Sequence, residues 1–352
     1  MTLDVGSFLE SGAICGIGNN RFLLGFGAHT WNRTAPEKSQ HATFYFPNFF
    51  LDHPSPWLNF AHTLEIEADA LLDLLSATPC IKPDVRWNKP KKIEFQKTFE
   101  DLQIRFANRK LVKAVPFMFE ESSIKLSSSN LVYCLISALK YSKKYPAFVY
   151  GFWNETDQHG MLGATPELLF SLDHQAKMLH SMACAGTAPT DAMEALSHSE
   201  KDCREHQLVI DGIKQSLNPF GEINIGQQTV VNVGSIAHLV TPITMNMRGN
   251  CAFESIVHAL HPTPSLGAYP KIQGDAWLLN YQTRIDRGRF GAPVGLLDSS
   301  YSQCLVAIRN MQWNHKQLKI GAGCGVIAES VMEDEWQEIQ NKIQSIKGIL
   351  GL

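Results

Sequence analysis

The chain has 352 residues, 44% hydrophobic and 18% charged, with a net charge of −3 when histidine is neutral. That length can bury a large core. The absence of any lysine- or arginine-rich run argues against nucleic acid as a partner, and no apolar run approaches the roughly 20 residues that span a bilayer. The N-terminal MTLDVGSFLE carries acids and no basic segment, so it does not read as a secretory signal. Eight cysteines are scattered without a C-x-x-C pair, most among apolar residues, which reads as reduced thiols in a cytoplasmic protein.

Residues 12–28 (GAICGIGNNRFLLGFGA) predict two strands around a Gly18-Asn19-Asn20 turn. Gly16-x-Gly18 invites a dinucleotide fingerprint, but Arg21 stands where the third glycine belongs and no helix follows. Phe44 to Leu51 reads as a buried aromatic strand, and the proline-punctuated residues 80–95 as a loop. Phe95 to Asn108 is helical in pattern, with Phe95, Phe99, Leu102, Ile104 and Phe106 apolar. Lys110 to Phe119 (KLVKAVPFMF) is strand-like with Lys113 inside it. Such a lysine either snorkels to the surface or is desolvated towards the lower pKa that suits a general base. A helix over Leu131 to Tyr141 and a strand over Ala147 to Trp153 follow; Gly163 to Leu172 then presents Glu167 on a turn, where a carboxylate is ordinarily exposed.

Met182 to Thr190 reads as a strand, and a helix runs from about Glu200 to Leu217 with Leu208, Val209, Gly212, Ile213 and Leu217 inward. Glu205 shares that face and needs a lysine, an arginine or a metal beside it. Thr229 to Val233 and Ala237 to Met247 read as paired strands, and Cys251 to Leu260 as a helix stopped by Pro262. That proline, and the lack of a third ligand in register, discount His258 and His261 as a metal pair. Trp277 to Tyr281 is helical, residues 289–299 turn into a strand, and Cys304 to Trp313 is a strand carrying Arg309, with Gln317 to Ile327 as its hairpin partner. Many strands with little regular β-α alternation predict an α+β fold built on large antiparallel sheets.

Near the C-terminus, Ser330-x-x-Glu333 has the form of a capping box and predicts a helix start there. Trp336, Ile339, Ile343 and Ile346 give its buried face. Glu335, Glu338 and Lys342 form a second stripe. Alone it reads as a solvated Glu-to-Lys pair; beside further charges it could hold a hard cation and an anionic substrate together.

Leu111-VKAVPF, Gly163-ATPELL, Ala185-Gly186-Thr187, Glu205-His206-Gln207-Leu208-Val209, His238-Leu239, His261-Pro262-Thr263-Pro264, Phe290-GAPVG, Ile308-Arg309 and Ala322-Gly323 through Glu335 and Glu338 to Lys342 stand in one order. Together they resemble the chorismate-utilising enzymes, the family of anthranilate, aminodeoxychorismate, isochorismate and salicylate synthases. The resemblance covers residues 95–345 and implies one domain over 1–352, with antiparallel sheets packed as a sandwich, peripheral helices, and a variable part at 1–94. It implies chorismate as substrate and Mg2+ as cofactor. Lys113 would be the base that activates water and Glu167 the acid that protonates the departing hydroxyl. Glu205 and Glu338 would be metal ligands, and Glu335 a third. Arg309 and Lys342 would meet substrate carboxylates, while Gly186, Thr187, His238, Leu266, Phe290 and Gly323 line the pocket.

Within the family, Lys113, the His261-PTP loop and Ala185 in place of a nucleophilic lysine point to an isochorismate synthase that needs no glutamine amidotransferase. Leu266 favours release of isochorismate over its conversion to salicylate. Such a product would feed menaquinone or siderophore biosynthesis. The chain departs from the family pattern at Ser265, Ala268, Phe290 and Cys324, and lacks a glutamate often found upstream of Arg287.

Overall fold

In the computed structural model, which describes residues 2–36 and 42–352, strands Ser11–Gly18 and Arg21–Asn32 fold back on each other. Their turn places Asn19 and Asn20 at φ 50° and 57°, the left-handed pair that a two-residue hairpin demands and that asparagine tolerates. An antiparallel sheet grows from both sides of this hairpin. One wing continues through Trp57–Glu67, Thr43–Tyr45, Pro293–Leu297, Tyr301–Val306, Leu168–Asp173, Met178–Pro189 and Ile236–Met247. The other continues through Phe148–Asn154, His159–Thr165, Asn310–Trp313, Leu318–Gly323 and Phe117–Ser122.

The expected sandwich is therefore one 16-stranded sheet curled onto itself rather than two separate sheets. Ala13, Tyr150, Phe152 and Met161 of one wing pack against Phe44, Phe46, Phe60, Val294 and Leu305 of the other. The Phe46 and Phe152 ring centroids lie 4.7 Å apart. Polar groups in this seam are paired: Gln303 Nε2 donates to the Gly16 carbonyl at 2.8 Å and Tyr150 Oη to the Ile308 carbonyl at 2.7 Å. A second sheet of three short strands sets Lys113–Ala114 between Ala268–Tyr269 and Val326–Ile327.

Helices cover the outer faces. Helix Glu200–Leu217, capped by Ser199, lies against the strand Met178–Pro189. The C-terminal helix Met332–Leu350 buries Ile339, Ile343 and Ile346 as its spacing predicts, and Trp336 packs on Phe95. No helix among the described residues is long and apolar enough to cross a membrane.

Four local expectations are corrected. Ser330 does not cap the last helix; Val331 holds that position without a side-chain bond, because Ser330 Oγ donates to Glu335 Oε1 at 2.7 Å and Glu333 turns outward to Lys92. Of the Phe44–Leu51 run only Phe44 and Tyr45 lie in a strand, Thr43–Tyr45, although Phe46 and Phe49 are buried. Ile104 faces solvent on helix Lys92–Ala107, since Phe95, Phe99, Leu102 and Phe106 already fill its inner stripe. The Cys304 to Trp313 run breaks at residues 307–309, and Arg309 stands at the break with φ 56°.

Ile343→Ala should cost about 2–5 kcal/mol by urea unfolding, through lost burial and a cavity. Gln344→Ala, one residue on and exposed, should stay within about 0.5 kcal/mol of wild type.

Candidate active site

A pocket opens where the curled sheet, the small sheet and two helices meet. Glu167, Gly186, Thr187, Glu205, His238, Leu266, Phe290, Arg309, Gly323 and Lys342 all line it, as do Val115, Cys184, Ser265, Gly325 and Ile346. Lys113 and Glu338 stand behind that lining, paired with Glu205 and Lys342, and Glu335 stands behind it bonded to Lys201 and Ser330.

The backbone breaks aim the polar groups. Arg309, buried in its left-handed kink, donates from Nη2 to His238 Nε2 at 3.1 Å. Its Nη1 lies 3.4 Å from the Lys342 carbonyl. His238 Nδ1 donates to the Gly186 carbonyl at 3.0 Å, which leaves Nε2 to accept from Arg309. Burial first and Arg309 second hold His238 well below the usual imidazole range, so it stays neutral. Gly186 supports this with φ 73°, a conformation glycine adopts without strain.

Glu167 is not the exposed turn carboxylate that its local sequence suggests. It is 4% exposed and accepts a hydrogen bond from Ser265 Oγ at 2.7 Å. Burial pushes its carboxyl up to about 7, against the opposing pull of the Ser265 bond and of Lys113, Lys342 and Arg309. At neutral pH such a group holds a proton part of the time and can donate it.

The carboxylates in and behind the pocket lining are matched by lysines. Lys113, fully enclosed, pairs with Glu205 at 2.9 Å. Lys342 pairs with Glu338 at 2.6 Å and also donates to the Gly323 carbonyl at 2.9 Å. Lys201 pairs with Glu335 at 2.7 Å. Burial and the neighbouring Glu338 raise the Glu335 carboxyl. Burial also opposes ionisation of Glu338, but Lys342, Lys201 and a bond from Thr187 prevail and hold it low. Among the described residues no three histidine, cysteine or acidic side chains form a ready-made metal cage. The donor set still suits a hard divalent cation. It offers carboxylate oxygens only, and Glu335 Oε2 is buried without a partner.

Lys201 escaped the sequence reading, although it stands four residues before Glu205 on one helix face, a spacing that marks a neighbour. Arg287 also gave no signal of its surroundings. Its guanidinium is buried 3.4 Å from the Phe49 ring centroid and near Phe117 and Phe290, with both terminal nitrogens unpaired.

Cationic groups, a raised carboxyl and an acidic cluster thus surround one chamber. The fold matches that of MenF, the menaquinone-specific isochorismate synthase from Escherichia coli, with a TM-score of 0.78 over 99% of this chain and 92% of that one, at 18% identity. Isochorismate synthase MenF of Pasteurella multocida is 30% identical over 226 residues, 60% of this chain and 52% of that protein. The salicylate biosynthesis isochorismate synthase of Pseudomonas aeruginosa is 32% identical over 199 residues, 54% of this chain and 42% of that protein. The chain thus spans about half the length of the curated relatives it matches. The family model described as chorismate binding enzyme matches residues 37–351, and the chain belongs to that family.

Gly325 lets the Lys113–Glu205 pair form. A Cβ there would collide with Glu205 Oε1 and lie 3.0 Å from Lys113 Cε. Gly325→Ala should therefore force the pair apart, lower stability by about 1–3 kcal/mol in urea melts and weaken ligand binding measured by calorimetry.

Proposed function

We propose that the protein is an isochorismate synthase that converts chorismate to isochorismate with Mg2+, feeding menaquinone or siderophore biosynthesis. The observation that carries this reading is Glu167: a buried pocket carboxyl, raised to about 7 and tethered by Ser265. Moving a hydroxyl from C4 to C2 of the ring requires an acid of this kind to protonate the leaving oxygen.

Arg309 and Lys342 would receive the carboxylates of the substrate, and Leu266, Phe290 and Ile346 would cover its apolar edge. Lys113 would accept the proton of the attacking water, an action that requires it to part from Glu205. As the new C–O bond forms at C2, the ring double bonds shift and the C4–O bond breaks, with Glu167 supplying the proton. The reaction consumes water and returns it, so it calls for no ammonia-delivering partner. Glu205, Glu335 and Glu338 would hold the Mg2+, which when bound would polarise the ring carboxylate and draw charge from the diene.

Incubation with chorismate, with and without Mg2+, followed by chromatography, tests the assignment. Isochorismate is expected. Salicylate with pyruvate would make the chain a salicylate synthase, and unchanged chorismate would make it a binding protein. The proton donor has its own signature. Because Glu167 acts in its protonated form, kcat/KM should fall as pH rises through about 7. Ser265 stabilises the ionised carboxylate, so Ser265→Ala should move that falling limb to higher pH; an unmoved limb would count against Glu167 as the acid.

A further inference from the structure

Three lysines face three carboxylates behind the pocket, but they are not equally committed. The Lys113 side chain is 0% exposed and enclosed by Glu205 and Gly325. The Lys342 side chain is 16% exposed and is held by both Glu338 and the Gly323 carbonyl. Lys201 is 28% exposed, and Glu335 is its one hydrogen-bonded partner within the cluster. It stands at the solvent end of the group, in the first turn of helix Glu200–Leu217, and feels the charges of Glu335, Glu205 and Glu338 together. Glu335 meanwhile keeps one buried oxygen unpaired. Three carboxylates gathered in a low-dielectric setting repel one another unless a positive charge lies among them.

Resting on the Mg2+ reading above, we propose that Lys201 is a positioning residue. Its ammonium holds Glu335 towards Glu205 and Glu338 before a divalent cation arrives, and the cation then displaces it to solvent. Displacement costs little, because the four-carbon stem reaches water without leaving the helix surface. The lysine thus keeps ligands assembled, and it also competes with the cation they bind. The two effects part on substitution. Loss of the ammonium should loosen the cation-free cluster while deepening its negative potential.

The test compares wild type, Lys201→Met and Lys201→Arg as full chains without chorismate. Mg2+ binding is read by calorimetry, and melting is followed in chelator and in Mg2+. Lys201→Met should bind Mg2+ about tenfold more tightly, since an opposing unit charge has gone. It should melt a few degrees lower in chelator and recover in Mg2+, whereas Lys201→Arg, which keeps the charge, should follow wild type in both. Binding by Lys201→Met that equals or falls below a measurable wild-type value would overturn the role of Lys201 and leave the metal reading standing. Wild type that takes up no Mg2+ would overturn the metal reading and the displacement with it. General structural damage would weaken cation binding, so only the proposed competition produces tighter binding with a lower metal-free melting point.

Discussion

The Lys113–Glu205 ion pair joins the two parts of the molecule that make the pocket. Lys113 comes from the small sheet and Glu205 from the long helix against the curled sheet. The two are direct partners at that depth, and removing either would leave the other without its ion pair, at a cost of about 3–5 kcal/mol. The pair therefore fixes how closely helix and small sheet approach, and Gly325 is the residue that leaves room for it. The remaining polar lining follows from that approach: Lys342 reaches the Gly323 carbonyl, and Arg309 reaches His238.

Charge balance here is local rather than global. The chain as a whole carries a net charge of only −3, yet three carboxylates stand against three lysines in and behind the pocket lining. The same enclosure that makes each pair strong raises the carboxyl of Glu167, which no lysine touches directly. Its partner is a serine hydroxyl, a weaker stabiliser of charge than an ammonium. Glu338, with lysines beside it, is thus held low, while Glu167, with only a hydroxyl beside it, is raised.

Much of this was legible from residue order. Periodicity placed helix Glu200–Leu217 within its observed bounds and put Glu205 on its inner face, and the asparagine pair marked the first hairpin. The motif residues from Lys113 to Lys342 gather in and behind one pocket. Local pattern failed where a long-range bond outweighed a short-range one. Ser330 has a capping residue's chemistry, but Glu335 claims its hydroxyl. Arg309 sits in a run of strand-forming residues, but the seam needs a kink there to turn the guanidinium into the pocket. Glu167 reads as a surface turn because the segments that bury it lie far away in sequence. Lys201 went unnoticed because a lysine near a helix start looks solvated until the partner helix is in place.

The curled sheet carries a consequence for how the chain matures on the ribosome. Strand Thr43–Tyr45 pairs on one side with Trp57–Glu67, made moments later, and on the other with Pro293–Leu297, made long after. Until then its outer edge is open, and Phe44, Phe46 and Phe60 lack Val294 and Leu305 within their cluster. Closure of so distant a pairing is slow, and an exposed apolar edge invites association with other chains in the interval. The pocket, whose walls run from Val115 to Ile346, accordingly takes shape only after all of those segments have been made.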